Sequence, residues 1–216
     1  MVITQNPEIG RSRKSKGNTT FTSWKGKNVM KNKPLEVNQP NTEAQVAQKS
    51  RFAAAVSLSR TLAAIIATGY RQMAAQMTKF NAFVSENLKN GAILIVSGVV
   101  IIDYERLMLS KGTLSKTAFA SIAADSSVDT VTVNFPTTSA DYGTAPTDRC
   151  IVAAYNVTTG QWIHGTITAG ARSTGQSRIN GATLMDSNDR IMVYYFFESV
   201  TGASVSDSIA FEVAAS

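Results

Sequence analysis

Positive charge is concentrated in the first hundred residues, and this asymmetry constrains the chain more than any other feature of its sequence. Residues 1–100 contain 14 lysines and arginines against 4 acidic residues, whereas residues 101–216 contain 7 against 11. The first part begins with a basic segment rich in Gly, Ser and Asn and continues into a helical pattern, and the second part is patterned for strands. A basic arm joined to a compact head indicates assembly rather than catalysis.

A chain of 216 residues suits one domain with extensions or two small domains. Its hydrophobic fraction of 44% is enough to bury a core. Because Cys150 is the only cysteine, the chain forms neither an internal disulfide nor a zinc cluster built on cysteines. The most apolar stretch, residues 92–102, is shorter than the roughly 20 residues of a spanning helix. We therefore expect no membrane span, and residues 1–10 lack the pattern of a secretory signal.

The arm, residues 1–20, shows no hydrophobic period. Its basic residues Arg11, Arg13, Lys14 and Lys16 are separated by serine and glycine. Such a segment buries too little apolar surface to offset the entropy that it loses on ordering. We therefore expect it to be disordered unless a neighbouring chain or a bound polyanion holds it.

Two short strands are predicted over residues 19–33, on either side of Lys25-Gly26. Phe21 and Trp24 supply apolar bulk before the turn, and the glycine can adopt the positive φ that a tight turn requires. A linker bounded by prolines follows. The arm, the hairpin and the linker together occupy residues 1–40.

A pair of helices is predicted over residues 41–91. Asn41 or Thr42 begins the first helix; Thr42 as N-cap places Gln45 at the third helical position, which completes a capping box, whereas Asn41 leaves it incomplete. Gly69 is a suitable end. A second helix is expected over residues 71–88, where apolar residues recur at spacings of three and four.

Residues 92–216 are predicted to form an antiparallel β domain. Short alternating segments are separated by turns rich in Gly, Asn, Asp and Ser. Six or seven such strands over about 115 residues are typical of an immunoglobulin-like sandwich, so the predicted fold class of the chain is α+β. Residues 92–102 either end a helix or begin a buried strand. The expected strands cover residues 101–109, 128–135, 148–155, 161–168, 178–184, 190–197 and 204–213.

The sequence contains no pattern that assembles a catalytic, cofactor or metal site. His164 is the only histidine, so no second imidazole is available for a metal, and no nucleophile-elbow pattern accompanies it. The acidic loop at Asp186 and Asp189 lacks the central glycine and the distal glutamate of an EF-hand, which favours a polar turn. The chain is therefore expected to be neither an enzyme nor a cofactor-binding protein.

The candidate partner-binding residues lie in the arm and the hairpin. A buried aromatic side chain contributes the largest energy at many protein interfaces, which makes Trp24 the expected anchor. The basic residues either contact acidic surface on a neighbouring protein or neutralise the phosphates of a nucleic acid, and both alternatives remain open. The full candidate set is Arg11, Arg13, Lys14, Lys16, Phe21, Trp24, Lys25 and Lys27.

Several short motifs occur together in this chain: Thr22-Ser23-Trp24-Lys25-Gly26-Lys27-Asn28-Val29-Met30, Gln48-Lys49-Ser50-Arg51-Phe52, Asn87-Leu88-Lys89-Asn90, Asp103-Tyr104 and Leu109-Ser110-Lys111-Gly112. In this combination the chain resembles an uncharacterised family of proteins from Bacteroidota genomes and their phages. The resemblance covers residues 19–213 and brings no known catalytic residues. Members usually begin with a glycine-rich segment instead of a basic arm, so the resemblance assigns no role to the arm. Occurrence in phage-type genomes implies a structural role in a virion or prophage.

These features predict a non-enzymatic structural protein of a bacteriophage virion, in the capsid, the tail or an accessory position. We expect the arm and hairpin to lie across neighbouring copies and other virion proteins, in a homo-oligomer of high order, after synthesis in the host cytoplasm. Two alternatives remain: a nucleic-acid-associated protein that uses the basic arm, and a surface adhesion or spike module built on the sandwich.

Overall fold

The computed structural model of the chain describes residues 2–4, 14–24, 27–34, 36, 41–75, 77–119, 121–137, 144–163, 166–180 and 185–216. The chain forms two compact units, Met1–Thr42 and Glu43–Ser216. The first unit is a small sheet, and the second contains the helices and the larger sheets.

The N-terminal unit is an antiparallel sheet of four short strands. β3 (Thr19–Trp24) and β4 (Lys27–Asn32) pair with each other, which confirms the predicted hairpin. β1 (Val2–Thr4) pairs with β4, and β2 (Lys14–Lys16) pairs with β3. The strand order is therefore β1-β4-β3-β2.

The two outer strands correct the expectation that residues 1–20 have no structure of their own. An isolated hairpin leaves unpaired backbone groups along both outer edges, and short segments of the same chain pair with those edges here. Backbone pairing rather than burial orders β2, because all three of its residues are exposed. A search for hydrophobic periodicity cannot detect a strand of this kind.

Helices begin the second unit. α1 (Glu43–Thr61) starts directly after Thr42, as predicted, but it ends before Leu62 and the chain continues as α2 (Ala63–Gly69) after a bend of 90°. Among the described residues, no single helix is long and apolar enough to span a membrane. The bent pair of α1 and α2 meets that length and composition only when the two helices are joined.

The second predicted helix is shorter than expected. Gln72–Ala75 form a 3-10 turn, and α3 covers Lys79–Lys89. Thr78 has extended backbone dihedrals, and its hydroxyl oxygen accepts a hydrogen bond of 3.2 Å from the backbone N–H of Asn81. The predicted start at Arg71 is therefore wrong, because Thr78 acts as an N-cap and begins the helix there.

Antiparallel strands make up the rest of the second unit. In the described part of the chain they are β5 (Ile93–Val96), β6 (Val99–Ile102), β7 (Ser121–Asp125), β8 (Thr130–Asn134), β9 (Arg149–Asn156), β10 (Gln161–Ile163), β11 (Thr166–Thr168), β12 (Gly170–Ala171), β13 (Gln176–Asn180), β14 (Arg190–Glu198) and β15 (Ile209–Ala214). One large sheet has the order β10-β9-β14-β15, with β12 also paired to β9, and the other has the order β11-β13-β8-β7. β5 and β6 form a separate two-stranded sheet.

β14 lies at the centre of the second unit and is buried on both sides. Alternate residues from Ile191 to Phe197 pack into a core that the two large sheets share. Met192 and Tyr194, on the opposite side of the same strand, pack with residues of the helices. The α+β class is thereby confirmed. An immunoglobulin-like arrangement of the two large sheets is not confirmed and stays a prediction.

The apolar stretch over residues 92–102 is neither the end of a helix nor one buried strand. It folds into the hairpin β5–β6, in which Ile93 pairs with Ile102. Ser97 and Gly98 close the hairpin with φ values of 51° and 81°, which is the left-handed conformation that tight two-residue hairpin turns require.

The strand expected over residues 161–168 is instead two strands, β10 and β11, in different sheets. Two other strand predictions also differ from the structure. The strand expected over residues 101–109 ends at Ile102, and Leu107 and Leu109 are buried in an irregular segment. Conversely, the sequence does not predict β7. Ala124 is the only one of its five residues that is buried, so the strand has little hydrophobic pattern. Burial and strand formation therefore do not coincide at these two places.

Candidate interaction surface

The deepest charged group of the second unit is a structural ion pair. Nε of Arg172 lies 3.2 Å from Oδ2 of Asp148, and both side chains are 2% exposed. The guanidinium lies 3.9 Å from the ring centroid of Phe197 and also donates to the hydroxyl of Thr117. Asp148 in turn accepts a hydrogen bond of 2.9 Å from the backbone N–H of Ala145. All of these partners are internal, so the pair fastens loops to the sheets and does not face a ligand.

The residues with catalytic potential are not brought together. Within the described ranges, no three side chains capable of binding a metal form a cluster, and His164 lies outside those ranges. Burial raises the pKa of the Cys150 thiol to about 12, which leaves it protonated at neutral pH and unsuited to nucleophilic attack. That the chain is not an enzyme stays a prediction.

The acidic loop is a hydrogen-bonded turn, as the sequence predicted. Oδ2 of Asp189 accepts hydrogen bonds of 2.7 Å from the side-chain amide of Asn156 and of 3.0 Å from the backbone N–H of Asp186. The backbone hydrogen bond from Asp186 and the amide of Asn156 hold the pKa of Asp189 below its usual value. The Asp189 carboxylate therefore stabilises the turn through hydrogen bonds within the chain.

Polar residues of the sequence motifs join connecting segments to the helices. The side chain of Asn87 donates to the carbonyl oxygen of Met108 at 2.9 Å and accepts from its backbone N–H at 2.8 Å. The Arg51 guanidinium donates to the carbonyl oxygens of Leu88 and Ile93 at 3.1 and 2.9 Å. Asn87 thus replaces a neighbouring strand as the partner of the irregular segment around Met108.

The Leu109-Ser110-Lys111-Gly112 motif lies where three segments of the chain cross. The hydroxyl of Ser110 is 3.0 Å from the carbonyl oxygen of Gly69 and 2.6 Å from that of Ser206. A Cβ at Gly112 would lie 2.1 Å from the carbonyl oxygen of Val205. The motif is therefore explained by close packing of backbones rather than by ligand binding.

The exposed positive charge is concentrated in the N-terminal unit. Residues 1–42 contain 8 lysines and arginines against 2 acidic residues. The lysines of β2 and β4 are all exposed; they are Lys14, Lys16, Lys27 and Lys31. Lys33, which follows β4, is exposed as well. This sheet is the strongest candidate surface for an acidic partner.

The strand register distributes this charge over both faces of the sheet. Lys14 lies opposite Phe21, and Phe21 lies opposite Met30, so these three residues share one face. Lys27 and Lys31 alternate with Met30 along β4 and therefore lie on the other face. Neither face is purely apolar or purely basic among the described residues.

The structure brings together part of the predicted partner-binding set. Lys14 and Lys16 lie on the face of Phe21, whereas Lys27 lies on the opposite face. Trp24 is in β3 in register with Lys27, but its side chain lies outside the described part of the structure. The predicted residues Arg11, Arg13 and Lys25 also lie outside the described residues.

Sequence reasoning missed Met30, Lys31 and Lys33 as candidates. Lys31 is four residues from Lys27, a spacing that places both on one face of a strand. A period of two applied to the predicted hairpin would have found Lys31. Met30 required the register of β3 and β4, because only that register places it beside Phe21.

Burial in this unit is slight. Val29, which is 4% exposed, is the only buried hydrophobic residue that the structure describes in Met1–Thr42, and Phe21 and Met30 are partly buried. A sheet with so little core depends on its backbone ladder and gains stability when another surface covers it.

Comparison with known proteins identifies the family but no described relative. No curated protein and no solved structure matches the chain. A family of unknown function, DUF6266, matches residues 11–212, a range that includes the basic sheet from β2 onward and nearly all of the second unit. Over this range the chain belongs to the DUF6266 family of unknown function.

Proposed function

We propose that this chain is a non-enzymatic structural protein of a phage-type virion, present in many copies in the capsid, the tail or an accessory position. The N-terminal basic sheet contacts neighbouring copies and other virion proteins. The virion setting rests on the resemblance to proteins of Bacteroidota genomes and their phages. Synthesis in the host cytoplasm and incorporation into the particle follow from that setting.

The observation that carries the proposal is the combination of exposed charge and minimal core in one small sheet. Five described lysines are exposed, and Val29 alone is buried among the described hydrophobic residues of this unit. Contact with a partner would bury the exposed side chains of this sheet and would disturb little internal packing. Residues 101–216 of a neighbouring copy, with 7 basic against 11 acidic residues, have the complementary charge.

Strand exchange is a further route to assembly. β1 and β2 contain three residues each and, among the described residues, pair only with the hairpin β3–β4. The same ladder forms when the strand comes from a neighbouring copy, because backbone pairing does not distinguish identical chains. In this proposal the second unit is the displayed head. The two antiparallel sheets with a shared core support an immunoglobulin-like sandwich for that head.

Removal of residues 1–20 from the full chain tests the proposal. The truncation deletes β1 and β2, and we expect large assemblies measured by light scattering to be lost while the second unit remains folded. The paired substitution Lys14→Glu and Lys16→Glu should weaken assembly in the same direction. Lys116→Glu, at an exposed lysine of the second unit, is the matched control. Assembly that is unchanged by the truncation would refute the proposal.

Nucleic acid is the second candidate partner, and the excess of 8 basic over 2 acidic residues in residues 1–42 favours it. Each neutralised phosphate contributes about −0.9 to the slope of log affinity against log salt. Loss of Lys14 and Lys16 should therefore reduce the magnitude of that slope by about 2. Affinity for a DNA duplex or RNA that scarcely changes with salt would exclude this role.

A further inference from the structure

The hairpin β5–β6 presents a continuous aliphatic face to solvent. Leu94, Val96, Val99 and Ile101 are 37%, 51%, 63% and 45% exposed. Leu94 lies opposite Ile101, and Val96 lies opposite Val99. Directly opposed residues share one side of a sheet, so the four side chains form one patch.

The patch belongs to a firmly held element. Ile93, on the other face of the hairpin, is fully buried, and Val100 and Ile102 pack against the same core. The backbone of Ile93 also accepts a hydrogen bond of 2.9 Å from the Arg51 guanidinium. The exposed face is therefore a defined surface on a packed hairpin.

No charge lies within the patch, and the nearby basic residues Arg106 and Lys89 form ion pairs. Residues 92–102 contain no charged side chain. Beside the base of the hairpin, Arg106 forms an ion pair of 3.2 Å with Asp103. At the end of α3, Lys89 lies 3.8 Å from Glu86. The surface therefore selects against a nucleic acid or an acidic peptide and fits an uncharged apolar partner.

We infer that this face binds the same face of a second copy of the chain. The four side chains form two rungs of branched aliphatic residues, so rotation by 180° about an axis through the patch places aliphatic on aliphatic. This self-complementarity is what a two-fold symmetric contact requires. The chain carries a net charge of +6, but residues 92–102 contain no charged side chain. A contact between two copies at this face therefore places no like charges of the hairpin against each other.

The size of the patch indicates a weak contact that acts in an array. Four half-exposed aliphatic side chains amount to an apolar patch on the order of 300 Å². A stable isolated dimer buries about 800 Å² per partner. The hairpin contact therefore becomes effective when other contacts hold copies close together, as in the proposed particle. The inference rests on the proposed function only because the particle supplies this high local concentration.

Sedimentation of the full chain over a wide concentration range provides the first test. We expect the weight-average mass of the wild type to rise with concentration and that of Val99→Lys to rise less, because the substitution removes only the contact at this hairpin. Val128→Lys is the matched control, because Val128 is an exposed valine at 61% in a turn of the second unit. A wild type that remains monomeric, or a Val99→Lys variant that associates like the wild type, overturns the inference.

Cross-linking detects a weak contact, because the covalent product accumulates even when two copies associate only briefly. Cys150 is buried and fully protonated at neutral pH, so it does not compete with an introduced surface thiol. Under a mild oxidant, Val99→Cys should form a covalent dimer several-fold faster than Val128→Cys. Equal rates for the two variants would contradict a contact at this face. Circular dichroism of each variant verifies that it is folded.

Two further measurements separate this inference from other outcomes. Flotation with phosphatidylcholine vesicles that Val99→Lys abolishes, in the absence of any change in mass, would show a lipid partner and overturn the inference. In the variant without residues 1–20, Val99→Cys should still cross-link faster than Val128→Cys, although more slowly than in the full chain. If the truncated variant still forms the cross-link and its assembly is unchanged, the N-terminal sheet has no role in assembly, and the hairpin contact is supported.

Discussion

The strands β4 and β14 use the same antiparallel pairing but have opposite surroundings. In β4 only Val29 is buried, whereas seven consecutive residues of β14 are buried. β14 is covered by a second sheet on one side and by helices on the other, so its side chains supply much of its stability. β4 depends on its backbone ladder. The comparison shows that packing stabilises β14 and that β4 has little packing, which is why we propose the first unit as the surface for partners.

Charge is also used differently in the two units. The second unit encloses Arg172 and Asp148 with internal partners, and removal of one member would leave the other charge buried without compensation. The N-terminal sheet keeps Lys14, Lys16 and Lys31 at its exposed surface, where solvent screens each charge and single substitutions have little effect on folding.

The largest effect is expected from breaking the buried ion pair. Asp148→Ala should lower the free energy of unfolding of the second unit by about 3–5 kcal/mol, because Arg172 would remain buried without its carboxylate. Glu212→Ala removes the partner of Arg190 in an exposed pair of 2.7 Å and should cost about 1 kcal/mol or less. Urea denaturation measures both. Equal losses in the two variants would contradict the scaffold role of the buried pair.

Valine truncation compares the two cores directly. Val193 is fully buried in β14 and Val29 is 4% exposed in β4. Val193→Ala should cost about 2–3 kcal/mol, since it removes two methyl groups from a core that is closed on all sides. Val29→Ala should cost roughly 1–2 kcal/mol because the sheet around it can relax. Urea denaturation reports the first and amide exchange in β3 and β4 the second; a larger loss at Val29 would reverse the comparison.

Glycines serve the two units for different reasons. Gly112→Ala should destabilise the second unit by about 1–3 kcal/mol through overpacking, because the added Cβ meets the carbonyl oxygen of Val205. Gly17→Ala meets no atom within 4 Å, but its φ of 59° costs about 1 kcal/mol in the N-terminal sheet. Thermal unfolding measures the first and amide exchange the second. If Gln72→Ala, which removes a flexible neighbour, rescues Gly112→Ala, backbone crowding is not the cause.

Acid should affect the second unit through Asp189, and this is the smallest predicted effect. The pKa of Asp189 is lowered by hydrogen bonds from Asp186 and Asn156. A carboxyl with a lowered pKa in the folded state contributes stability above its unfolded pKa of about 3.9 and loses it as pH falls through the folded value. Asp189→Asn should therefore be less stable than the wild type at neutral pH, and the gap should narrow below about pH 4. A gap in melting temperature that stays constant with pH would contradict this assignment.

Much of the local structure could be predicted from short-range signals. The capping residue Thr42 predicted the start of α1, and Lys25-Gly26 predicted the β3–β4 hairpin. The break at Leu62 and the N-cap at Thr78 were missed, because helical periodicity continues across both positions. In the candidate surface, the positive charge of the β2 lysines was enough to predict them. Met30 was not predicted.

Sequence by itself determined the charge asymmetry, the order of hairpin, helices and β domain, and the α+β class, because composition and local periodicity follow directly from residue order. Only the tertiary structure decided that Phe21 lies beside Met30, that Asn87 holds an irregular segment, and that four aliphatic residues of β5–β6 face solvent. These facts depend on strand register and on contacts between residues distant along the chain. A shift of one residue in register moves every side chain to the other face, and local propensities do not encode that choice.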